Sequence, residues 1–520
     1  MMGPDLHLPG DPMPDHPDDD QGATPDDLPA GGAGHREDHD AVADLTPAQA
    51  AIADAVALLS GPALDVPDPR PGTEALEADW SDDARAGLDR LLADLDGKRV
   101  GLAISGGGAL GSFEAGALRF LYDHARIAPV AITGNSAGAL NAAKLAHGDG
   151  PNGEPVVDDV ERLWRSMRTN PDMWEPEPWL ERVVASAQWA SAIRGQGHGS
   201  SGAANAMRIA LRAVNSLVRR PEEIDGTIGA LREAVAAQSM LSLRPVAAII
   251  GAELDPDRLA ASGIALRMGT VSLESGELRY VTETGALHDR HDRPLDQPPV
   301  PVADGVLASA SIPVAFPPVR LGDEHYVDGG AREILPLEIL VSHLGVERAI
   351  AVSASSATID RAVSFADRNM LDILRRVSAE IATNETLRKE LHPPGGWGPD
   401  VRLVVPEIDV HDAMTIDPAL IAISFDYGWM RAADLLLGLG ERPSVLSAEM
   451  TRTRIGLRRL AGPLPSLFGV DRDDDASAAD ERRWVDGADT LTARFHEQAV
   501  ARRDHGGPLP PSILAWLAAT

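Results

Sequence analysis

Gly134-Asn135-Ser136-Ala137-Gly138 is the single Gly-x-Ser-x-Gly in the 520-residue chain. It stands where a short apolar run, PVAITG (129–134), turns into an Ala-rich stretch, AGALNAAKLAHG (137–148). A serine on a tight strand-to-helix turn has its hydroxyl pushed out of the sheet, and the glycines at 134 and 138 leave room for such a turn. The helix that follows offers partial positive charge and a free N–H at Ala137, which suits a developing oxyanion. The same pattern also describes a glycine-rich turn whose serine merely caps a helix.

A serine hydroxyl is a weak nucleophile at neutral pH and needs a base. Of the downstream histidines, His392 falls in a Pro/Gly loop and His496 in a predicted surface helix, and His411 is the third late candidate. His325 precedes a better-placed group, the carboxylate of HYVDGGAREILPL. Asp328 there ends a short predicted strand, and Gly329 and Gly330 let the backbone turn sharply beside another loop. Catalytic groups of open α/β sheets gather at such carboxyl edges.

The stretch SGGGALGSFEAGAL (105–118) supports two chemistries. Gly106, Gly108 and Gly111 have the spacing of a dinucleotide-binding turn, while Gly106, Gly107 and Gly108 could aim N–H groups at an oxyanion. The dinucleotide reading expects an acidic residue about twenty positions on, closing the second strand. That strand instead closes on Thr133-Gly134-Asn135-Ser136, and the nearest acid, Asp123, belongs to the intervening helix. The oxyanion reading accounts for the glycines, the serine and the aspartate together.

The elements that must hold these groups alternate. RVGLAIS (99–105) and PVAITG read as buried strands, and SFEAGALRFLYDHA (112–125) and AGALNAAKLAHG as helices, which predicts a parallel sheet with crossover helices. Further strands are predicted at 245–254, 263–272, 277–283, 325–330, 347–355 and 400–407, and long helices at 360–391, 426–439 and 475–504. The domain reading is an acidic disordered tail (1–44), a helical extension (45–96), a catalytic domain (97–445) with a helical insertion at about 150–245, and a C-terminal helical region (446–520).

Taken in order, these residues resemble the patatin-like acyl hydrolases. The resemblance rests on Gly106-Gly107-Gly108-Ala109-Leu110-Gly111 after the first strand, the 134–138 elbow, Asp328-Gly329-Gly330, and LASASIPVAFPPV (307–319) before it. A later stretch, SFDYGWMRAADLLL (424–437), looks like a helix near the end of some bacterial members. The resemblance implies a three-layer α/β/α fold with a mostly parallel central sheet. It also implies a Ser136–Asp328 dyad that needs no histidine, and an oxyanion hole drawn from Gly106, Gly107, Gly108 and Ala137. Gly111, Gly134, Gly138, Gly329 and Gly330 would shape the turns. The implied reaction is hydrolysis of lipid carboxylic esters through an acyl-enzyme, with no metal or organic cofactor. Acyl transfer by the same dyad, or lipid or partner binding without catalysis, are the alternatives. Two departures bear on substrate preference: Leu110 replaces a basic residue, and Glu333 or Ile334 replaces an asparagine, with Pro336 keeping its spacing.

Composition narrows the partners. A net charge of -32 argues against nucleic-acid binding. The absence of cysteine excludes disulfides and thiolate chemistry. Residues 1–44 carry twelve acidic residues against the single Arg36, the composition of a disordered segment, so His35 and His39 there read as solvated. No secretory signal or bilayer-length apolar run is visible, which makes the cytoplasm the expected location. Met207, Leu211, Val214 and Val218, with Arg208, Arg212 and Arg219 alongside, form a basic amphipathic stripe. It reads first as core packing and second as a peripheral membrane contact or lid. His198 reads as solvated, and Trp174 and Trp179 as core anchors near the active-site side.

Overall fold

The run at 99–105 becomes strand β1 (Val100–Ile104), buried along its whole length, and the next apolar run becomes β2 (Ala131–Gly134). A computed structural model describes residues 47–60, 73–150, 153–180, 236–359, 361, 364–366, 373, 376–461 and 478–519. The acidic stretch 1–44, His198 and the basic stripe at 207–219 lie outside the described residues.

The sheet continues through β3 (Ala265–Ser272), β4 (Leu278–Thr282), β5 (Leu287–Asp289), β6 (Val319–Leu321), β7 (Glu324–Asp328), β8 (Arg348–Val352) and β9 (Val401–Val404). Five strands, in the order β9-β8-β1-β2-β3, are parallel. β4 and β5 extend that block antiparallel, and β7 returns antiparallel along β3 with β6 as its hairpin partner.

Period-2 alternation divides the side chains between two layers. Leu102, Ile104, Ile132, Ile350 and Val352 meet the helices of one face. Ala103, Ala131, Ala349 and Ala351 meet a second cluster containing Leu337 and Leu340 of the helix Leu337–His343, and Leu387 and Leu391. The result is a mixed α/β molecule with helices on both sides of a central sheet.

On the first face lie α1 (Gly111–Asp123) and α2 (Ala137–Leu145), the crossovers read from sequence. α3 (Arg244–Glu253) corrects an expectation: PVAAIIGAEL, predicted as a strand, is a helix. Its apolar run cannot by itself distinguish the two, and Pro245 near the helix start, with Ala247 and Ala248 in the first two turns, favours the helix. α4 (Val302–Ala310) precedes the β6–β7 hairpin, and α5 (Thr383–Leu391) continues from a π-helical turn, 376–382. α6 (Pro418–Leu437) starts at Asp417, whose side chain accepts the Ala419 and Leu420 N–H groups, and stops at left-handed Gly438.

The helix Glu441–Ala461 runs through the predicted 445/446 boundary, and residues 46–520 form one compact unit. Arg454 and Arg502, both buried, pair with Asp426 at 2.5 Å and Asp434 at 2.8 Å and tie the C-terminal helices to α6. Removing one partner would strand a buried charge, which is where the cost of such pairs lies. Among the described residues no helix is long and apolar enough to cross a membrane.

Candidate active site

β2 and β7 run toward each other along the same edge of β3. Gly134 pairs with Met268 and Asp328 with Thr270, while β4 occupies the opposite edge from Arg267 to Val271. Two residue levels therefore separate the ends of the two strands, and both chains turn out of the sheet in that gap. The elbow turns at Ser136, held at φ 53° and ψ -126°. A non-glycine residue in this region is strained by about 1–3 kcal/mol and persists where its surroundings over-determine it. The turn also requires Gly138: a Cβ there would lie 2.2 Å from the Ser105 carbonyl oxygen. Ser136 and Asp328 are each 5% exposed.

The Gly330 N–H donates to Asp328 Oδ1 at 2.7 Å, and the Ser136 side chain is near enough to Asp328 to favour its ionised form. Burial outweighs both and pushes the Asp328 carboxyl up to about 6. The segment carrying the fourth resemblance has a physical role here. Ser309 Oγ accepts the Ser136 N–H at 3.0 Å, and the Ser311 carbonyl accepts the Asp328 N–H at 2.9 Å, so one stretch fixes both partners.

The glycine loop abuts the elbow, and a Cβ on Gly106 would lie 3.1 Å from that of Ser136. Gly106 itself is a correction to the oxyanion set, because its N–H donates to the Ile334 carbonyl at 2.9 Å and is spent. The Gly107, Gly108 and Ala137 N–H groups have no protein acceptor among the described residues. Ser105 Oγ fastens the loop from behind, accepting the Ala354 N–H at 2.8 Å and lying 3.0 Å from Glu114 Oε1. Glu114 is fully buried, which pushes its carboxyl well above the usual range, and Asn141 donates to its other oxygen at 3.1 Å.

Gly108, Ser136 and Ala137 open onto an apolar recess of about 480 Å³, counting its solvent-open mouth. Leu140, Val246 and Ile250 of α3, Val306 and Ala310 of α4, and Phe316 contribute to its wall, which contains no charged side chain among the described residues. That lining suits a hydrocarbon chain and offers a pyrophosphate nothing but the loop amides. Trp174 is buried, donates to the Met414 carbonyl at 3.1 Å and packs with Phe316; Trp179 donates to the Ser239 carbonyl. None of His325, His392, His411 and His496 hydrogen-bonds to Ser136 or Asp328. His325 binds exposed Glu274, and His496 packs edge-on against Trp516. Among the described residues no group of three or more His, Cys, Asp or Glu is arranged to hold a metal.

Three further residues hold the site beyond those read as catalytic or oxyanion groups: Ser309, Asn135 and Thr133. Ser309 takes the Ser136 N–H, Asn135 Nδ2 donates to the Glu333 carbonyl at 2.6 Å, and Thr133 Oγ1 donates to that of Pro336 at 2.6 Å. The Gly-x-Ser-x-Gly motif contains Asn135 as its free position, so its place beside the serine is legible even though its partner is not.

The site concentrates carboxyls whose affinity for a proton is raised. Burial also pushes Glu333, which accepts from Tyr280 at 2.6 Å, up to about 8, and Glu390 up to about 7. A carboxyl whose pKa is raised on folding binds its proton more tightly in the folded chain, so its stabilising contribution is present at low pH and lost as pH rises through the folded value. Between pH 5 and 8.5 the expected loss is on the order of several kcal/mol, since each tenfold difference in proton affinity between the folded and unfolded chain is worth about 1.4 kcal/mol. Thermal unfolding should therefore move down by several degrees over that window, and a flat or rising midpoint would show these groups ionising normally. Asp289 and Asp292, with lowered values, lose stability only on the acid side of it.

Residues 102–341 match the family model of patatin-like phospholipases. The match covers 240 of the 520 residues and takes in the glycine loop, the elbow at Ser136 and the Asp328 turn. Among solved structures it is similar to VipD from Legionella pneumophila, with a TM-score of 0.32 and 14% identity over 81% of this chain and 90% of that one. Human GIVD cytosolic phospholipase A2 aligns with a TM-score of 0.31 and 11% identity over 74% of this chain and 64% of that chain. ExoU of Pseudomonas aeruginosa, solved with SpcU, aligns at 0.25 and 15% identity over 81% and 70%. No characterised protein is matched by sequence.

Proposed function

We propose that the chain hydrolyses carboxylic esters of lipids through an acyl-enzyme on Ser136. The observation that carries this reading is a strained serine whose hydroxyl faces a buried, proton-accepting Asp328 beside an apolar recess. Asp328 takes the hydroxyl proton as Ser136 Oγ attacks the acyl carbonyl. The carbonyl oxygen becomes an oxyanion that Gly107, Gly108 and Ala137 N–H groups stabilise. Collapse of that intermediate breaks the ester bond, and the Asp328 proton leaves with the alcohol. Water, deprotonated by the same carboxylate, then releases the fatty acid and regenerates the hydroxyl.

The recess would hold the acyl chain, and the lipid head would stay at its mouth. Val314 stands at that rim between Ile312 and Phe316, 64% exposed and left-handed at φ 71°, a side chain suited to peripheral contact with a lipid surface. No step in this reaction calls for a metal or an organic cofactor.

Intact mass after incubation with a fluorophosphonate tests the reading. A single adduct on the wild-type chain, absent from Ser136→Ala together with esterase turnover, is expected. Equal turnover by both proteins, or an adduct elsewhere, would falsify the mechanism.

A further inference from the structure

One strap of chain, Glu333 to Pro336, clips together all the loops that meet at the site. Its carbonyls accept, in order, the Asn135 side chain at 2.6 Å, the Gly106 N–H at 2.9 Å and the Thr133 hydroxyl at 2.6 Å. The strap follows the Asp328 turn directly, since the Glu333 N–H donates to the Gly329 carbonyl at 2.9 Å. The elbow, the oxyanion loop and the carboxylate loop are therefore referenced to this one segment. Its own N–H groups at 334 and 335 point the other way, to Glu390 on α5. Glu390 Oε2 accepts from Leu335 at 2.9 Å, and its two oxygens accept from Ile334 at 3.1 and 3.2 Å. The Trp397 ring nitrogen in turn holds the Glu390 carbonyl at 2.6 Å.

We infer that Glu390 is a positioning residue for the Ser136–Asp328 site, setting the oxyanion loop through the Ile334 peptide. The Ile334 N–H is held by Glu390 and its carbonyl by Gly106, so the side chain acts across four residues of strap on groups it never touches. Fixed geometry of this kind matters because small misplacements of reacting groups cost large factors in rate. Glu390 lies beyond residue 341, where the match to the phospholipase family ends, so this support comes from a helix outside the matched segment. A glutamine at 390 keeps one acceptor oxygen and loses the second, which halves the grip while preserving shape. The inference rests on the acyl-hydrolase reading for its kinetic consequence, and on the strap geometry alone for its structural one.

The test compares wild type with Glu390→Gln by ester kinetics, by fluorophosphonate labelling rate and by hydrogen–deuterium exchange. Expected are a fall in kcat of about tenfold, with KM within about twofold and labelling slowed in parallel. Amide exchange should rise together in the strap and in residues 105–111, which make no hydrogen bond to Glu390. A kcat within about twofold of wild type, or faster exchange confined to the strap, overturns the inference. Should Glu390→Gln fail to fold, Trp397→Phe releases the backbone behind Glu390 and must give the same paired exchange pattern. If wild type takes no adduct, the acyl-enzyme reading fails, and the exchange pattern alone decides whether Glu390 sets the loop.

Discussion

Asp328→Asn lowers kcat by about 10³- to 10⁴-fold, the range a missing general base commonly costs. The substitution keeps the shape of the turn. Asparagine Oδ1 can still accept the Gly330 N–H, and the backbone N–H of residue 328 still donates to Ser311. What disappears is the proton acceptor facing the Ser136 hydroxyl. The same carboxylate predicts the acid limb of wild-type kcat/KM. Asp328 works as the anion, so activity falls as pH drops through about 6 and is full above it. The variant has a second signature. Its neutral amide is spared the burial penalty that raises the carboxyl, so at pH 8 it should unfold at a higher midpoint, gaining about 2–3 kcal/mol. Loss of activity with gain of stability separates removal of a base from damage to the fold. Turnover within about tenfold of wild type, or an acid limb near the usual carboxylate value, would remove Asp328 from the reaction.

The parts of the site that a local pattern defines are legible in the sequence. An apolar run, a glycine-flanked serine and an Ala-rich helix follow one another within twenty residues, and each constrains the next through turn sterics. Asp328 is legible through its two glycines, although the direction of its strand is not. The pattern makes β7 one more strand of an open parallel sheet, whereas it lies antiparallel and meets β2 head-on. Local hydrophobicity does not encode direction, and here the β6–β7 hairpin sets it. PVAAIIGAEL misleads because five apolar residues in a row satisfy a buried strand and a buried helix equally, and the helix wins through its proline start and its packing beside the recess. Spacing groups Gly106 with its neighbours but says nothing about where an N–H is already committed. Glu390 is invisible for the same reason: its partners lie 55 and 56 positions away, and its chemistry is a contact with backbone.

Gly108→Ala should cost about 10²- to 10³-fold in kcat, comparable to deleting one oxyanion donor, although the new residue keeps its N–H. Two effects combine at this position. Gly108 adopts φ 55°, where an L side chain is strained, and an added Cβ would lie 2.2 Å from the Ala413 carbonyl oxygen. That carbonyl accepts the Ala109 N–H at 2.7 Å, so the loop cannot move away without breaking the bond that seats it. The collision must therefore be relieved by displacing the N–H groups of 107 and 108 from the mouth of the recess. Gly97 provides the control, with φ 67° and nothing within 4 Å of its Cβ position. Gly97→Ala carries the backbone strain without the collision and should lose about 1 kcal/mol of stability with unchanged turnover. If Gly108→Ala behaves like Gly97→Ala, with kcat intact and a similar small drop in midpoint, the loop tolerates displacement and its amides do not bear on the oxyanion. A fall in kcat confined to Gly108→Ala, with fluorophosphonate labelling slowed to match, instead assigns the rate effect to the position of those N–H groups.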